Sequence, residues 1–258
     1  MMATVSSQGK SGTFRGLSTN PTLNLLCVWA GPGFVVLYSI GILAAGMVPP
    51  NPPTSTASEI VSHYTSDATG LRIGCILMAT GAALIAPWAV AIAMQIRRSE
   101  LGSPVLTYSA LASAFFVAID ASVIPTLWAL ATFRAGQIAP DITLTLNDAG
   151  WFLFMFPWQL GGGIWFIAVA LSILTAPAWN RVYPRWIGWL SLWFCLLTIG
   201  DSLVAFFKAG PFAYNGIFTF YLPFTILLAW VVILTWATAH AVNRQSATEG
   251  TAFFPAAA

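Results

Sequence analysis

The sequence predicts an all-α, polytopic membrane protein with six transmembrane helices and both termini in the cytoplasm. Three observations carry that expectation. Of 258 residues, 58% are apolar and only 7% are Asp, Glu, Lys or Arg, whereas a soluble domain carries about 25% charged residues. So few charges cannot cover a water-facing surface, and a chain with 14% aromatics is not a disordered one. Apolar stretches long enough to cross a hydrocarbon core of about 30 Å recur along the chain. The bases, finally, sort themselves onto alternate flanks of those stretches.

In chain order, residues 1–19 are rich in Ser, Thr and Gly, carry Lys10 and Arg15, and read as a disordered cytoplasmic tail. The first span covers 24–47. A signal-peptide core is only about 7–15 residues long, so this span is expected to stay uncleaved, and Ala44-Ala45-Gly46 comes too late for a cleavage site. An outer loop, 48–72, opens with the stiff run Pro49-Pro50-Asn51-Pro52-Pro53. Thr56-Ala57-Ser58-Glu59 then matches a capping box. The short helix after it has an apolar edge of Ile60, Val61 and Tyr64, and is expected on the outer surface as a cover or an interfacial segment, with a plain linker as the alternative.

Further spans are expected over 73–96, 105–133, 151–174, 186–207 and 216–239. The second outer loop, 134–148, ends in Asn147-Asp148, suitable caps for the fourth span. The membrane domain therefore occupies 20–244, and 245–258 reads as a second disordered tail. No internal repeat is visible, which disfavours an inverted-repeat transporter.

Orientation follows from the bases. Lys10, Arg15, Arg97, Arg98, Arg181, Arg185 and Arg244 share one set of flanks, while Arg72, Arg134 and Lys208 occupy the other. The positive-inside rule puts the first set, with both termini, in the cytoplasm, and the expected location is the plasma membrane. Trp179, Trp186 and Trp189 fit an inner aromatic belt, and Trp151 marks the outer boundary.

Several functions are excluded. A net charge of +2 with no basic run longer than Arg97-Arg98 gives no footprint for nucleic acid. Cys27, Cys75 and Cys195 form no metal-ligand spacing, and His63 and His240 fall on opposite sides of the membrane, so no metal site and no cofactor is expected. The residues of a P-loop or a Ser/His/Asp triad are missing as well.

Where the bilayer rules are broken, a site is expected. Asp120 in the third span and Asp201 in the fifth each lie about 20–23 Å from the inner boundary at 1.5 Å per residue. An Asp at a helix centre costs about 2.5–3.5 kcal/mol on insertion scales, so such a group faces the bundle interior and marks a functional position. Asp120 and Asp201 are the candidate catalytic acids. Lys208, two turns beyond Asp201, with Arg72 and Arg134 at the outer boundary, are candidate ligand-binding bases; an ion-paired network pinning the helices is the alternative. Pro32, Pro87, Pro125, Pro157 and Pro223 interrupt five spans, and Gly161-Gly162-Gly163 permits close approach or unwinding. Trp128, Phe206, Phe207, Phe212, Tyr214, Phe218, Phe220 and Tyr221 gather near the outer half. Together these features predict an outward-facing, aromatic-lined polar pocket for an apolar, lipid-like or isoprenoid molecule.

Two stretches carry a resemblance. One runs from Arg72-Ile73-Gly74 through Pro87-Trp88 to Gln95-Ile96-Arg97-Arg98. The other is Phe207-Lys208-Ala209-Gly210-Pro211-Phe212-Ala213-Tyr214-Asn215-Gly216, followed by Pro223. They resemble a set of uncharacterised actinobacterial multi-pass membrane proteins over most of residues 24–240. The resemblance implies a multi-pass membrane fold and no site role. Three functions remain open on the residues. One is an enzyme or binding protein for a lipid-like substrate, with Asp120 or Asp201 as general acid. The others are a proton-coupled small-molecule carrier, and an anchoring subunit that docks a membrane partner or a second copy through its outer helix.

Overall fold

The computed structural model describes residues 21–253, with side chains over 22–247; the expected tail at 1–19 lies outside the described residues. The chain is all-α, with no strand among the described residues. Among the described residues, six segments are long and apolar enough to cross a membrane: Thr22–Ala44, Ala68–Ser99, Val105–Arg134, Pro140–Leu174, Arg185–Phe206 and Ile217–Ala247.

Helix α1 is Pro21–Ala44, α2 is Ala57–Ser66, and the second span is α3 (Ala68–Ala83) followed by α4 (Ile85–Ser99). The break at Leu84 has a local cause. Pro87 has no N–H to give and its ring would strike the carbonyl of Ala83, so the helix restarts one residue after it ends. Elsewhere the prolines are absorbed: Pro32, Pro125 and Pro157 sit inside unbroken helices. Helix α5 is Val105–Arg134 and α6 is Pro140–Leu174.

Helix α6 begins well before the expected 151. Pro140 takes the first position, where its missing N–H costs nothing, and Asp141 stands in the first turn, where its charge suits the helix N-terminus. Asn147 and Asp148 are therefore not caps; they lie inside the helix, and Asn147 is fully buried. Trp151 is buried too, so it packs the core and does not mark the outer boundary.

The fifth span changes character along its length. It begins as α7 (Arg185–Leu197) and continues as a 3₁₀ helix over Thr198–Phe206. The connection that follows turns at Gly210 (φ 84°), as Gly210-Pro211 foretells. The sixth span opens with a π-helical turn, Ile217–Tyr221, and continues as α8 (Leu222–Phe253), across the first part of the expected second tail. Burial of Ala241 and Val242 and a 2.8 Å bond from Gln245 Nε2 to Gln95 Oε1 keep this end of α8 on the bundle.

Small residues and tryptophans hold the spans together. Where α1 crosses α3, a Cβ on Gly41 would stand 2.7 Å from the Gly74 carbonyl oxygen, so only glycine allows this approach. Gly161-Gly162-Gly163 stays helical, and Gly161 serves the same purpose against Phe116 of α5. Trp88 on α4, Trp165 on α6 and Trp230 on α8 form an edge-to-face triangle with centroids 5.2–5.7 Å apart. Trp88 Nε1 donates to Thr235 Oγ1 at 3.0 Å, and Trp230 Nε1 to Ser191 Oγ at 3.0 Å. Where the first turns of α1 meet α4 and α8, Val28, Ala91 and Val242 pack together.

The helix α2 of the 48–72 loop is a cover, not a linker. Its capping box forms as expected: the Thr56 hydroxyl accepts from the Glu59 N–H at 3.3 Å, and the Glu59 carboxylate accepts from the Thr56 N–H at 2.7 Å. Ile60 and Tyr64 are buried against the bundle and Val61 is half-buried. The Thr56 N–H and hydroxyl hold the Glu59 carboxyl below the ordinary value of 4.5. A lowered folded-state value means that the cap contributes fully above pH 4.5 and is lost as pH falls below it. Amides at 57–60 should therefore exchange faster, relative to intrinsic rates, once the pH drops below 4.5. The same acceleration in Glu59→Gln would disprove that origin.

Candidate functional site

The sequence-predicted acids come to rest on different walls of the bundle interior. Asp201 lies in the 3₁₀ stretch of the fifth span, 1% exposed, and neither carboxyl oxygen has a hydrogen-bond partner among the described residues. It lines a small, partly open cavity of about 30 Å³ with Phe34 and Tyr38 of α1, Ala121 and Ile124 of α5, Phe154 and Trp158 of α6, Thr219 and Phe220 of the π turn, and Pro223 and Phe224 of α8. A water needs roughly 10–15 Å³ measured this way, so the cavity has room for about two waters.

The backbone around this cavity is unusual for a reason that can be read locally. Runs of 3₁₀ helix beyond three or four residues are uncommon, and π turns gather at functional sites. Here a nine-residue 3₁₀ run and a π turn face each other. Gly200 is what lets them meet, since a Cβ there would be 2.9 Å from the Phe218 carbonyl oxygen. The π turn is tied back by the Thr219 hydroxyl, which donates to the Ala213 carbonyl. Phe220 and Phe224 stack at 5.7 Å along one wall.

Asp120 does not line the cavity. It is buried on α5, and Oδ2 has no hydrogen-bond partner among the described residues. Tyr38 connects the two regions. Pro125 leaves the carbonyl of Ala121 without its helical N–H, and the Tyr38 hydroxyl donates to that oxygen at 3.4 Å while its ring lines the cavity. Ser202, beside Asp201, donates to Gln159 Oε1 of α6 at 3.1 Å. Sequence reasoning passed over Gln159 and Thr219; a polar side chain within an apolar span was the signal available for both.

The candidate bases stand apart from these acids. Arg72, Arg134 and Lys208 are exposed, and Arg134 lies over the Phe133 ring at 5.2 Å. Lys208 acts electrostatically on Asp148, not on Asp201. Trp128 is fully buried outside the cavity lining, 4.8 Å from Trp151, with its Nε1 donating to the Asn147 carbonyl at 3.4 Å.

The residues expected as caps instead build a second polar group beneath α2. The Tyr64 hydroxyl donates to Asn147 Oδ1 at 3.2 Å, Asn147 Nδ2 donates to Asp148 Oδ1 at 3.2 Å, and the Tyr214 hydroxyl donates to the same Asp148 oxygen at 3.3 Å. Burial pushes the Tyr64 and Tyr214 hydroxyls up, and the Asp148 charge adds to both shifts, so the two phenols remain donors across the ordinary pH range. Tyr214 also stacks on Trp151 at 5.7 Å. This network clamps the cover and the 207–216 connection onto α6. No protein-family model, no curated protein and no solved structure matches the chain.

Proposed function

We propose that the chain is a proton-coupled membrane carrier for a small, largely apolar solute, with Asp201 as the group that takes up and releases the proton. The observation that supports this most is a carboxyl with neither oxygen bonded to the described residues, on the wall of a small cavity within the bundle of apolar spans. A buried acid without a partner is costly and is retained where a proton or a solute becomes its partner. The 3₁₀ run and the π turn beside it supply a place where two spans can rewind, so that the cavity opens in turn to either side. Tyr38, whose ring lines the cavity and whose hydroxyl is bonded to the Ala121 carbonyl, adds a polar group on the α1–α5 side of it.

The aromatic lining suits an apolar solute, which a lipid-like or isoprenoid substrate would also require. Pockets for drug-sized ligands occupy about 300–1,000 Å³, so either occupant needs the cavity to widen, and a lipid-like substrate needs it to widen most, which ranks the enzymatic reading second. An anchoring role is weakened because α2 spends its apolar edge on its own bundle.

The test is solute-dependent proton movement in reconstituted vesicles carrying an internal pH dye, scored against protein-free vesicles. The panel should include aromatic amines, phenols and short-chain carboxylic acids. Solute-dependent flux is expected from the wild type, with none from Asp201→Asn and partial flux from Asp201→Glu. Equal flux in Asp201→Asn, or no flux above protein-free vesicles for any solute, would overturn the assignment.

A further inference from the structure

A second depression lies at the opposite end of the bundle, beside the last turns of α8. It is an open cleft of about 600 Å³ between the end of α4, the 175–184 connection and α8, and Arg98, Arg181 and Arg244 all line it. No Asp or Glu lines it among the described residues. Arg181 is fixed in place: its Nε donates to the Ile173 carbonyl at 3.2 Å and its Nη2 to the Ala176 carbonyl at 2.9 Å, which caps α6 and leaves other N–H groups of the guanidinium unused. Arg98 is half-buried and makes no hydrogen bond or ion pair with the described residues. Arg244 reaches the Val182 carbonyl at 3.3 Å.

The surroundings mark the level of this cleft. Trp179 on its rim is 77% exposed and Trp186, at the start of the fifth span, is 48% exposed, as side chains at a membrane interface are. Arg98 also lines a neighbouring groove of about 430 Å³ whose wall includes Val90, Met94 and Leu111 along α4 and α5. A polar cationic cleft and a largely apolar groove thus meet at one guanidinium. A free phosphate has no use for the groove, and an uncharged lipid has none for the arginines.

We propose that this is a binding site for an anionic phospholipid, with the phosphodiester held between Arg98, Arg181 and Arg244 and one acyl chain laid along the groove. Basic pockets between spans at headgroup level recognise such lipids through paired, charge-assisted hydrogen bonds from arginine. Bound there, the lipid joins the ends of α4 and α8 to the 175–184 connection.

The test is thermal unfolding of the full chain in detergent with added phosphatidylglycerol, phosphatidylcholine or inorganic phosphate, alongside native mass spectrometry of retained lipid. Phosphatidylglycerol is expected to raise the midpoint and to be retained, while the other two do neither. Arg98→Gln should weaken retention about five-fold, the loss expected for one base at a membrane surface, with Arg98→Lys in between. Arg244→Gln provides a second variant with the same expected direction. Equal stabilisation by phosphatidylcholine would overturn the headgroup assignment. Equal stabilisation by inorganic phosphate would overturn the lipid in favour of a soluble anion. Unchanged retention in both variants would overturn the site.

Discussion

Trp88→Ala is expected to be the most destabilising single change in the bundle, at about 2–3 kcal/mol. In water-soluble cores Trp→Ala costs about 3–5 kcal/mol. Part of that is transfer from water, which is missing where the separated helix would rest in lipid, so the remaining cost is lost packing and lost hydrogen bonding. Both are large at this position. The ring is 1% exposed, meets Trp165 at 5.3 Å and Trp230 at 5.7 Å, and gives its N–H to Thr235. It also lies against Gly31 of α1, so one truncation loosens contacts among four of the six spans. Trp189→Ala is the matched control, because that ring is 58% exposed on the lipid-facing side and should cost close to nothing. Reversible unfolding in mixed detergent micelles measures both, and equal losses would mean that the triangle does not hold the bundle.

The spans were legible because their signal is crude: a long apolar run has no other stable place than the bilayer. The capping box at Thr56 was legible for a local reason too, since both of its bonds lie within four residues. The start of α6 was not. Asn147-Asp148 offers good caps by residue type, but these two side chains are tolerated inside the helix because Tyr64 and Tyr214, distant in sequence, supply their partners. Asp201 could be picked out from its depth alone. That the expected bases would not pair with it depended on the helix type of the fifth span. A continuous α-helix would carry Lys208 two turns along the face of Asp201, whereas the 3₁₀ run and the turn after it send the side chain outward.

Asp201→Leu is expected to make the protein more stable, by about 1–2 kcal/mol, while abolishing proton coupling. Asp201 has no bond to lose among the described residues, and the cavity beside it leaves space for a larger side chain. It lies near the end of its span, so on unfolding the carboxyl can reach the interface and recover its hydration, which favours the unfolded chain. Leucine gains nothing from that escape. Replacing buried charged groups by well-packed apolar ones is commonly stabilising on this scale. A structural acid behaves in the opposite way, because its replacement orphans whatever it was holding. The sign of the change in unfolding free energy therefore separates the two roles without knowledge of the solute. A fall in stability with Asp201→Leu, matched by a fall with the near-isosteric Asp201→Asn, would make Asp201 a pin between spans. A rise, together with lost flux, is the signature of an acid retained against stability for the proton it carries.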